Sequence, residues 1–167
     1  DFPYPWVLEE QNLSGASFAK KQILKIKREK KINFKEDVCG LMLETFQGWG
    51  ALFYPKDFVQ YLSIFCKKNN IILAFDEMQS GFSRTGKNFG FMHYNVQPDL
   101  ICCGKGMGGG LPVSGVLGKK ELLDLPEIGS MSSTHSANPL VCEAGNAVID
   151  EIKRKNLNKE TLRKGKI

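Results

Sequence analysis

The residues best suited to chemistry lie between Asp99 and Gly110. In that stretch a short apolar run, Leu100–Cys103, leads into Lys105, and glycines flank the lysine on both sides. The apolar run predicts a buried strand, and the glycines allow the backbone to bend tightly and to approach a ligand closely. A lysine amine at such an edge becomes nucleophilic when desolvation favours its neutral form. The simpler interpretation, a surface lysine in a flexible turn, stays open on this stretch alone.

Two further apolar runs end in carboxylates. Residues 38–43 are followed by Glu44, and residues 71–75 are followed by Asp76. Ligands of open parallel sheets bind at the carboxyl ends of the strands, so we expect Glu44, Asp76 and Lys105 along one edge. A lysine amine forms a Schiff base with an aldehyde, and an acid partner keeps a pyridine nitrogen protonated. The combination predicts a pyridoxal phosphate site in which Asp76 faces the ring nitrogen and Lys105 also moves protons.

The elements that would position these residues alternate between helix and strand. Ser14 is a suitable N-cap for an amphipathic helix, and a second helix opens at Pro55. Residues 1–13 are expected to be irregular, residues 111–117 to form a strand, and Asn138 with Pro139 to start a late helix. Alternating elements with continuous apolar runs favour an α/β fold, a mainly parallel sheet with flanking helices.

Composition and charge exclude several classes of protein. The chain has 167 residues and a net charge of +5, and fifteen of its 23 basic residues fall in residues 20–35 and 153–166. These basic segments lack interleaved aromatic residues, so we interpret them as solvated helix faces and expect no nucleic-acid partner. We expect no membrane partner because no run reaches about 18 apolar residues. The start of the chain lacks a secretory signal and a methionine, so we expect part of a longer protein.

Cysteine and histidine usage argues against a metal centre. None of the five cysteines forms a C-x-x-C pair, and His93 and His135 lie far apart in sequence. Buried, reduced thiols in a cytoplasmic protein are the expected state of the cysteines. We expect the histidines to be packing or surface residues.

Four motifs that occur in order along the chain carry a family resemblance. They are Glu44–Gly48, Phe75–Gly86, Gly104–Gly106 and Ser133–Leu140. With them the chain, over about residues 38–156, resembles the class III, fold type I, pyridoxal-phosphate-dependent aminotransferases, which include the 4-aminobutyrate, ornithine and acetylornithine enzymes. The resemblance implies a partial large domain at residues 38–155, preceded by a lead-in segment and amphipathic helix at 1–37. Residues 156–167 would then be a basic tail leading toward a C-terminal domain.

The resemblance also implies a role for each candidate residue. Lys105 would carry the internal aldimine, Asp76 would pair with the pyridine nitrogen, and Gln79 would reach the phenolic oxygen of the cofactor. Thr134 would bind the cofactor phosphate and reach toward a partner subunit, which implies a homodimer or a higher oligomer. Glu44 matches the glutamate that pairs with an arginine in ω-amino-acid enzymes and gates the substrate carboxylate. The amino donor would be an ω-amino acid or a diamine, and the acceptor a 2-oxo acid.

The sequence departs from the family pattern at three positions and leaves out parts of it. Thr45 replaces the usual proline, Trp49 replaces a frequent glutamate, and Met78 replaces valine or isoleucine. These changes remove no catalytic group but leave the substrate subgroup open. The family's glycine-rich phosphate loop, its ring-stacking aromatic residue and its substrate-carboxylate arginine lie outside these residues. Residues 1–167 alone are therefore expected to be a poor catalyst or none.

Other functions remain open from the residues alone. Gly104, Gly106 and Gly109 satisfy G-x-G-x-x-G after a strand, which would suit a dinucleotide-binding module. That fingerprint must open a helix, whereas Gly110 and Pro112 disfavour one. A non-catalytic interaction fragment is a third possibility, and a pyridoxal phosphate aminomutase or decarboxylase of the same fold is a fourth.

Overall fold

The computed structural model describes residues 1–166, which divide into two compact units. Residues 1–75 with 91–98 form the first unit, and residues 76–90 with the chain from Asp99 onward form the second. The fold is α/β, with a mostly parallel main sheet flanked by helices, as expected from the alternating pattern. Asp76, Gln79, Lys105 and Thr134 lie in the second unit, whereas Glu44 lies in the first.

Helices and strands alternate along most of the chain. The α-helices are α1 (Pro5–Gln11), α2 (Gly15–Lys30), α3 (Phe34–Asp37), α4 (Lys56–Lys68), α5 (Lys120–Leu123), α6 (Pro139–Lys155) and α7 (Leu157–Lys164). The strands are β1 (Gly40–Glu44), β2 (Phe46–Gln47), β3 (Leu52–Phe53), β4 (Ile72–Asp76), β5 (Leu100–Cys103) and β6 (Gly115–Gly118). Short 3₁₀ helices occupy Gly90–His93 and Lys105–Gly108.

In the first unit α2 packs against α4, and capping fixes where α2 begins. The Ser14 side chain accepts a hydrogen bond from the Ser17 N–H, as expected for an N-cap. The Asp57 carboxylate accepts a second bond, 2.9 Å long, from the Ala16 N–H. A Cβ at Gly15 would lie 2.5 Å from that carboxylate, so only glycine allows this approach of the two helices. Phe18 and Ala19 of α2 are buried at the contact, while its lysines are exposed.

The strands of the first unit supply its core. The Ile72 N–H donates to the Cys39 carbonyl, which brings the start of β4 beside β1. Leu73 and Phe75 of β4 are buried, and the Phe75 ring stacks on Phe91 with centroids 6.1 Å apart. Burial of large apolar side chains of this kind supplies most of the favourable free energy of folding.

In the second unit β5 and β6 form an antiparallel pair. Leu100 lies opposite Gly118 and Cys103 opposite Gly115. Strand β5 has the predicted bounds, but the strand predicted at residues 111–117 begins later. The chain first passes through left-handed Gly109 and Gly110, with φ of +59° and +115°, which reverse its direction before β6 can pair. The reversal explains why β6 runs against β5 rather than parallel to it.

Both terminal segments are largely helical, and at residues 5–11 this differs from the expectation. Residues 5–11 form α1, with Pro5 at its first turn, where the sequence predicted irregular chain. Most of the basic C-terminal segment is helical: α7 packs on the second unit, where Asn158 Nδ2 donates to Asn88 Oδ1 over 2.7 Å. A Cβ at Gly86 would lie 2.5 Å from Leu162 of α7, so this helix also contacts the glycine-rich turn at residue 86.

Candidate functional site

Hydrogen bonding in the second unit brings the end of β4 to the end of β5. The Glu77 N–H donates to the Cys102 carbonyl over 2.9 Å, one residue beyond Asp76 and three before Lys105. Asp76 and Lys105 therefore lie at neighbouring strand ends, as their positions after apolar runs predict. This is the arrangement expected for a ligand-binding edge of a parallel α/β sheet.

Lys105 occupies a strained position at the start of a 3₁₀ turn. Its φ is +41°, in the left-handed region that side chains other than glycine rarely adopt, and its side chain is exposed. Strain of this kind persists where the surrounding structure fixes it, and it is common at functional sites. The exposed amine is accessible to a ligand, although the sequence led us to expect a more desolvated one.

The glycines around Lys105 meet specific neighbours. A Cβ at Gly104 would lie 2.4 Å from Met78 Sδ, so the absence of a side chain lets the methionine pack against the chain before Lys105. On the other side of the lysine, a Cβ at Gly106 would lie 3.6 Å from Phe82 Cβ. The turn that carries Lys105 is thus bounded by the chain that follows Asp76.

Helix α6 supports the same turn. Its N-terminus is capped by Asn138, whose Oδ1 accepts from the Leu140 N–H over 2.9 Å, as predicted for Asn138 followed by Pro139. A Cβ on Gly145 of this helix would lie 3.7 Å from the Met107 carbonyl, and one on Gly109 would lie 2.9 Å from Val148. Glycine on both sides of the contact lets α6 approach the turn after Lys105.

Asp76 is half-buried and only lightly engaged. Its Oδ1 accepts one hydrogen bond, 2.9 Å long, from the Met78 N–H. Burial raises the pKa of the neighbouring Cys102 thiol, and the charge of Asp76 raises it further. Because a carboxylate that is only partly buried and weakly bonded can still interact with a cationic ligand group, Asp76 remains available to a ligand.

Gln79 and Thr134, the other two candidate residues of the second unit, are both exposed. Gln79 is exposed in the turn after Asp76, and Thr134 is exposed in the segment between α5 and α6. The hydrogen bonds around Thr134 are local: the Ser133 N–H donates to Ser136 Oγ over 2.9 Å. The structure therefore brings Asp76 and Lys105 to neighbouring strand ends, while Thr134 sits in a segment bonded mainly to itself.

Glu44 lies at the end of β1 in the first unit. Its Oε2 accepts a 3.1 Å hydrogen bond from the Gly48 N–H, so the carboxylate closes the turn that follows its own strand. Burial raises the pKa of Tyr54 to about 12, with smaller contributions from the charge of Glu44 and from Tyr4. Glu44 thus has a local structural role whatever else it does.

Glu77 is a buried residue that sequence reasoning passed over. Its side chain is 0% exposed, and its Oε2 accepts from Ser80 Oγ at 2.6 Å and from the Gly90 N–H at 2.7 Å. The signal was present in the sequence, because Glu77 directly follows Asp76 and begins a stretch rich in glycine. It was missed because a charged residue after a strand predicts exposure, whereas this one organises the loop from inside.

The thiols and histidines are placed as follows. All five cysteines are free, but Cys39 and Cys142 are exposed rather than buried as expected. The His93 ring meets Phe53 edge-on with centroids 5.5 Å apart, and His135 is exposed, so both are packing or surface residues as expected. Within residues 1–166 no helix is both long and apolar enough to span a membrane.

A family model described as "Aminotransferase class-III" matches residues 2–167, which is nearly the whole chain. The chain belongs to the class III aminotransferase family. This assignment confirms the resemblance carried by the four motifs.

Similar proteins agree with the family. A "Probable 4-aminobutyrate aminotransferase" of Bacillus subtilis is 42% identical over 133 residues, which cover 79% of this chain and 30% of that protein. The acetylornithine aminotransferase of Aquifex aeolicus is 38% identical over 120 residues, covering 71% of this chain and 32% of that protein. The chain thus spans about a third of the length of these class III aminotransferases.

A solved structure extends the likeness to three dimensions. The Toxoplasma gondii ornithine aminotransferase, described as having partial occupancy of PLP at its active site, aligns with a TM-score of 0.70 and 29% identity. The alignment covers 75% of this chain and 30% of that one. The dinucleotide-binding alternative is not favoured by these comparisons. The glycines at residues 104–109 also open no α-helix of the kind such a fingerprint needs, because the 3₁₀ turn ends at Gly108 and the chain then reverses.

The residues of this class III chain fit a pyridoxal phosphate group. An accessible amine and a half-buried carboxylate stand at neighbouring strand ends, which suits an aldehyde and a ring nitrogen on one small molecule. Gly104 and Gly106 leave the backbone on either side of the amine without side chains. The donor set is therefore one that this cofactor could use.

Proposed function

We propose that the protein containing this chain is a pyridoxal-phosphate-dependent aminotransferase. The observation that carries the proposal is that Lys105 and Asp76 lie at neighbouring strand ends, which the bond from the Glu77 N–H to the Cys102 carbonyl joins. Family membership supports the same activity. When bound, the cofactor acts as an electron sink for carbanion chemistry at the substrate.

Each candidate residue has a proposed part. Lys105 Nζ would hold the cofactor aldehyde and would take and return protons at the substrate. Asp76 keeps the pyridine nitrogen protonated through its carboxylate. Gln79 donates toward the phenolic oxygen, and Thr134 binds the phosphate. Glu44 gates the substrate carboxylate, a role compatible with its half-buried position at a strand end.

The reactants, assembly and location follow from the family as proposals. The amino donor is an ω-amino acid or a diamine, and the amino acceptor is a 2-oxo acid. The protein works in the cytoplasm as a homodimer or larger assembly, in which Thr134 reaches toward the partner subunit. Residues 38–155 are the partial cofactor-binding domain, between a lead-in at 1–37 and a tail at 156–167.

The test is chemical trapping on the protein that contains this chain. After incubation with pyridoxal phosphate and reduction with borohydride, a pyridoxyl group is expected on Lys105 in peptide mass spectra. Lys105→Arg keeps the charge but should abolish the label, and Lys120→Arg, at an exposed lysine of α5, should keep it. The loss of transaminase turnover in Lys105→Arg should be on the order of a thousandfold or more.

Two outcomes would contradict the proposal. One is labelling of Lys105→Arg equal to that of the unmodified protein, which would place the cofactor elsewhere. The other is saturable binding of NAD together with no binding of pyridoxal phosphate, which would favour the dinucleotide alternative.

A further inference from the structure

The buried carboxylate of Glu77 joins both ends of a loop. Its Oε2 accepts from Ser80 Oγ over 2.6 Å and from the Gly90 N–H over 2.7 Å. The side chain is 0% exposed, and burying a carboxylate is costly in free energy unless hydrogen bonds compensate. These two bonds therefore help to offset the cost of burying the Glu77 carboxylate. Residues 80–90, which we name the clamped loop, are therefore tied at both ends to one side chain.

The backbone of Glu77 is equally engaged. Its N–H donates to the Cys102 carbonyl, and its carbonyl accepts from the Gly81 N–H, each over 2.9 Å. A Cβ at Gly81 would lie 2.8 Å from that carbonyl, so glycine permits the loop to turn back onto Glu77. Glu77 thus links the end of β5, the end of β4 and the clamped loop at one point.

The clamped loop holds strain between its two fixed ends. Phe82 and Ser83 have φ of +52° and +68°, both in the left-handed region. Consecutive residues of this kind persist only when the surrounding structure determines their conformation. The bonds from Ser80 and Gly90 to Glu77 are the constraints that enclose them.

The chain around the clamped loop contacts the backbone on both sides of Lys105, so a movement of this chain would change the surroundings of the lysine. Phe82 Cβ is 3.6 Å from where a Cβ on Gly106 would lie, and Met78 Sδ packs against Gly104. Met78 also donates its N–H to Asp76, so the aspartate carboxylate is oriented by the same stretch. The chain from Met78 through the clamped loop forms the wall beside the lysine.

We infer that Glu77 is a positioning residue for the cofactor site, in which its buried carboxylate fixes the clamped loop and so orients Asp76 and the wall beside Lys105. The inference rests on the proposed function for the identity of the ligand. Glu77 acts through Asp76, Met78 and the loop, and is not assigned a contact with the cofactor.

The experiment compares three variants of the protein that contains this chain, with pyridoxal phosphate as the probe. Both bonds end on Oε2, so in Glu77→Gln the amide oxygen can still accept them, but the negative charge that strengthens both bonds is lost and an NH₂ donor replaces the other oxygen. Ser80→Ala removes the bond from Ser80 Oγ to Glu77 and leaves the carboxylate charged. Glu143→Gln is the matched control, because Glu143 is an exposed carboxylate on α6 in the same unit. Hydrogen exchange of residues 80–90, the dissociation constant for pyridoxal phosphate and the absorbance of the bound cofactor as a function of pH are measured.

Because Glu77→Gln makes both bonds neutral, it is expected to weaken cofactor affinity about tenfold or more, and Ser80→Ala, which removes one bond to the charged group, a few-fold. Both should accelerate exchange in the clamped loop and shift the pH dependence of the bound cofactor's absorbance, while Glu143→Gln matches the unmodified protein. If Glu77→Gln does not fold, Ser80→Ala alone decides.

The inference is overturned if the folded variants leave affinity and absorbance unchanged, whether or not loop exchange rises, because Glu77 would then be structural only. Failure of the unmodified protein to bind pyridoxal phosphate would instead refute the proposed function, and with it the cofactor-directed part of this inference. In that case, faster hydrogen exchange of the clamped loop in the variants would still show that Glu77 fixes the loop.

Discussion

Two regions of the second unit differ in how they are held. Residues 76–90 together with β5, named the anchored region, are held by bonds between residues distant in sequence, such as Gly90 to Glu77 and Glu77 to Cys102. Residues 125–137, named the exposed segment, are held by bonds that span only three residues, such as Ser132 Oγ to the Gly129 carbonyl. Long-range bonds fix the first region, while the second has local turns.

The same difference appears in burial. Glu77, Ser80 and Ser83 are buried polar residues of the anchored region. Large apolar side chains of the exposed segment face outward, including Leu125, Ile128 and Met131. Asp76 and Lys105 are therefore positioned by the chain's own packing, whereas the described residues give Thr134 no comparable framework. The proposed assignment of Thr134 to a site shared with a partner subunit is compatible with this contrast.

Substitutions of Asp76, in the anchored region, and of Thr134, in the exposed segment, should affect catalysis differently, and the loss at Asp76 should be the largest. Asp76→Asn keeps the oxygen that accepts from the Met78 N–H but removes the charge opposite the proposed ring nitrogen. We expect kcat to fall on the order of a thousandfold, since a preorganised charge in the site is lost. Thr134→Val, in the exposed segment, should mainly raise the dissociation constant for pyridoxal phosphate. Steady-state kinetics and cofactor titration measure the two effects.

Asp99→Asn provides the control for Asp76→Asn. Asp99 precedes β5 in the same unit, and its Oδ1 accepts from Lys119 Nζ over 2.5 Å at the surface. Its loss should leave kcat within a few-fold of the unmodified value, because surface ion pairs contribute little. Equal losses in the two variants would mean that Asp76 has no special place in the chemistry.

The second effect concerns thiol reactivity. In the anchored region burial, the charge of Glu77 and the neighbouring Cys102 together raise the pKa of Cys103 to about 11. At pH 8 about one Cys103 in a thousand is then a thiolate, so its alkylation should be slowed on the order of a hundredfold relative to an ordinary cysteine. Cys142, at the start of α6 just beyond the exposed segment, is exposed and should react before Cys103. Mass spectrometry after timed iodoacetamide treatment measures both rates.

The direction of the accompanying pH effect is fixed by the same shift. Folding favours the protonated thiol, so this contribution to stability is present below about pH 8.5 and is lost as the pH rises toward 11. Alkylation of Cys103 at the rate of Cys142 in the native protein at pH 8 would show that the anchored region opens readily, and would remove the contrast between the regions.

The sequence predicted the parts of the fold that depend on local pattern. Ser14 and Asn138 were recognised as caps because short polar side chains before an apolar period satisfy the first N–H groups of a helix. Strand β5 was bounded correctly by its apolar run and the following glycines. The predicted start of β6 at residue 111 was wrong. The chain first reverses at Gly109 and Gly110, which adopt positive φ, and the apolar run at residues 111–117 does not reveal this reversal.

The sequence predicted those residues of the candidate site that are polar and follow an apolar run. Asp76 and Lys105 were identified because each follows an apolar run, and their adjacency follows from strand pairing. Glu77 could not be found this way, since its importance comes from Ser80 and Gly90, which only the folded loop brings to its carboxylate. Residues that act by joining distant backbone groups leave no periodic pattern.

The smallest expected effect tests whether the anchored region stores strain. Ser83 is buried, its φ is +68°, and within the described residues its Oγ has no hydrogen-bond partner. Ser83→Gly removes both the steric cost of this φ and the orphaned hydroxyl, partly offset by greater freedom of the unfolded chain. We expect a net gain of about 1 kcal/mol in the free energy of unfolding, measured by urea denaturation.

Two companion variants show where that gain arises. Ser83→Ala removes the hydroxyl but keeps a Cβ at positive φ, so it should gain less than Ser83→Gly. Ser132→Gly changes an exposed serine of the exposed segment and should alter stability by no more than about 0.5 kcal/mol. If Ser83→Gly destabilises the protein, the hydroxyl has an essential role in the loop. The tight hold on the anchored region would then reflect complementary packing rather than strain held in place by Glu77.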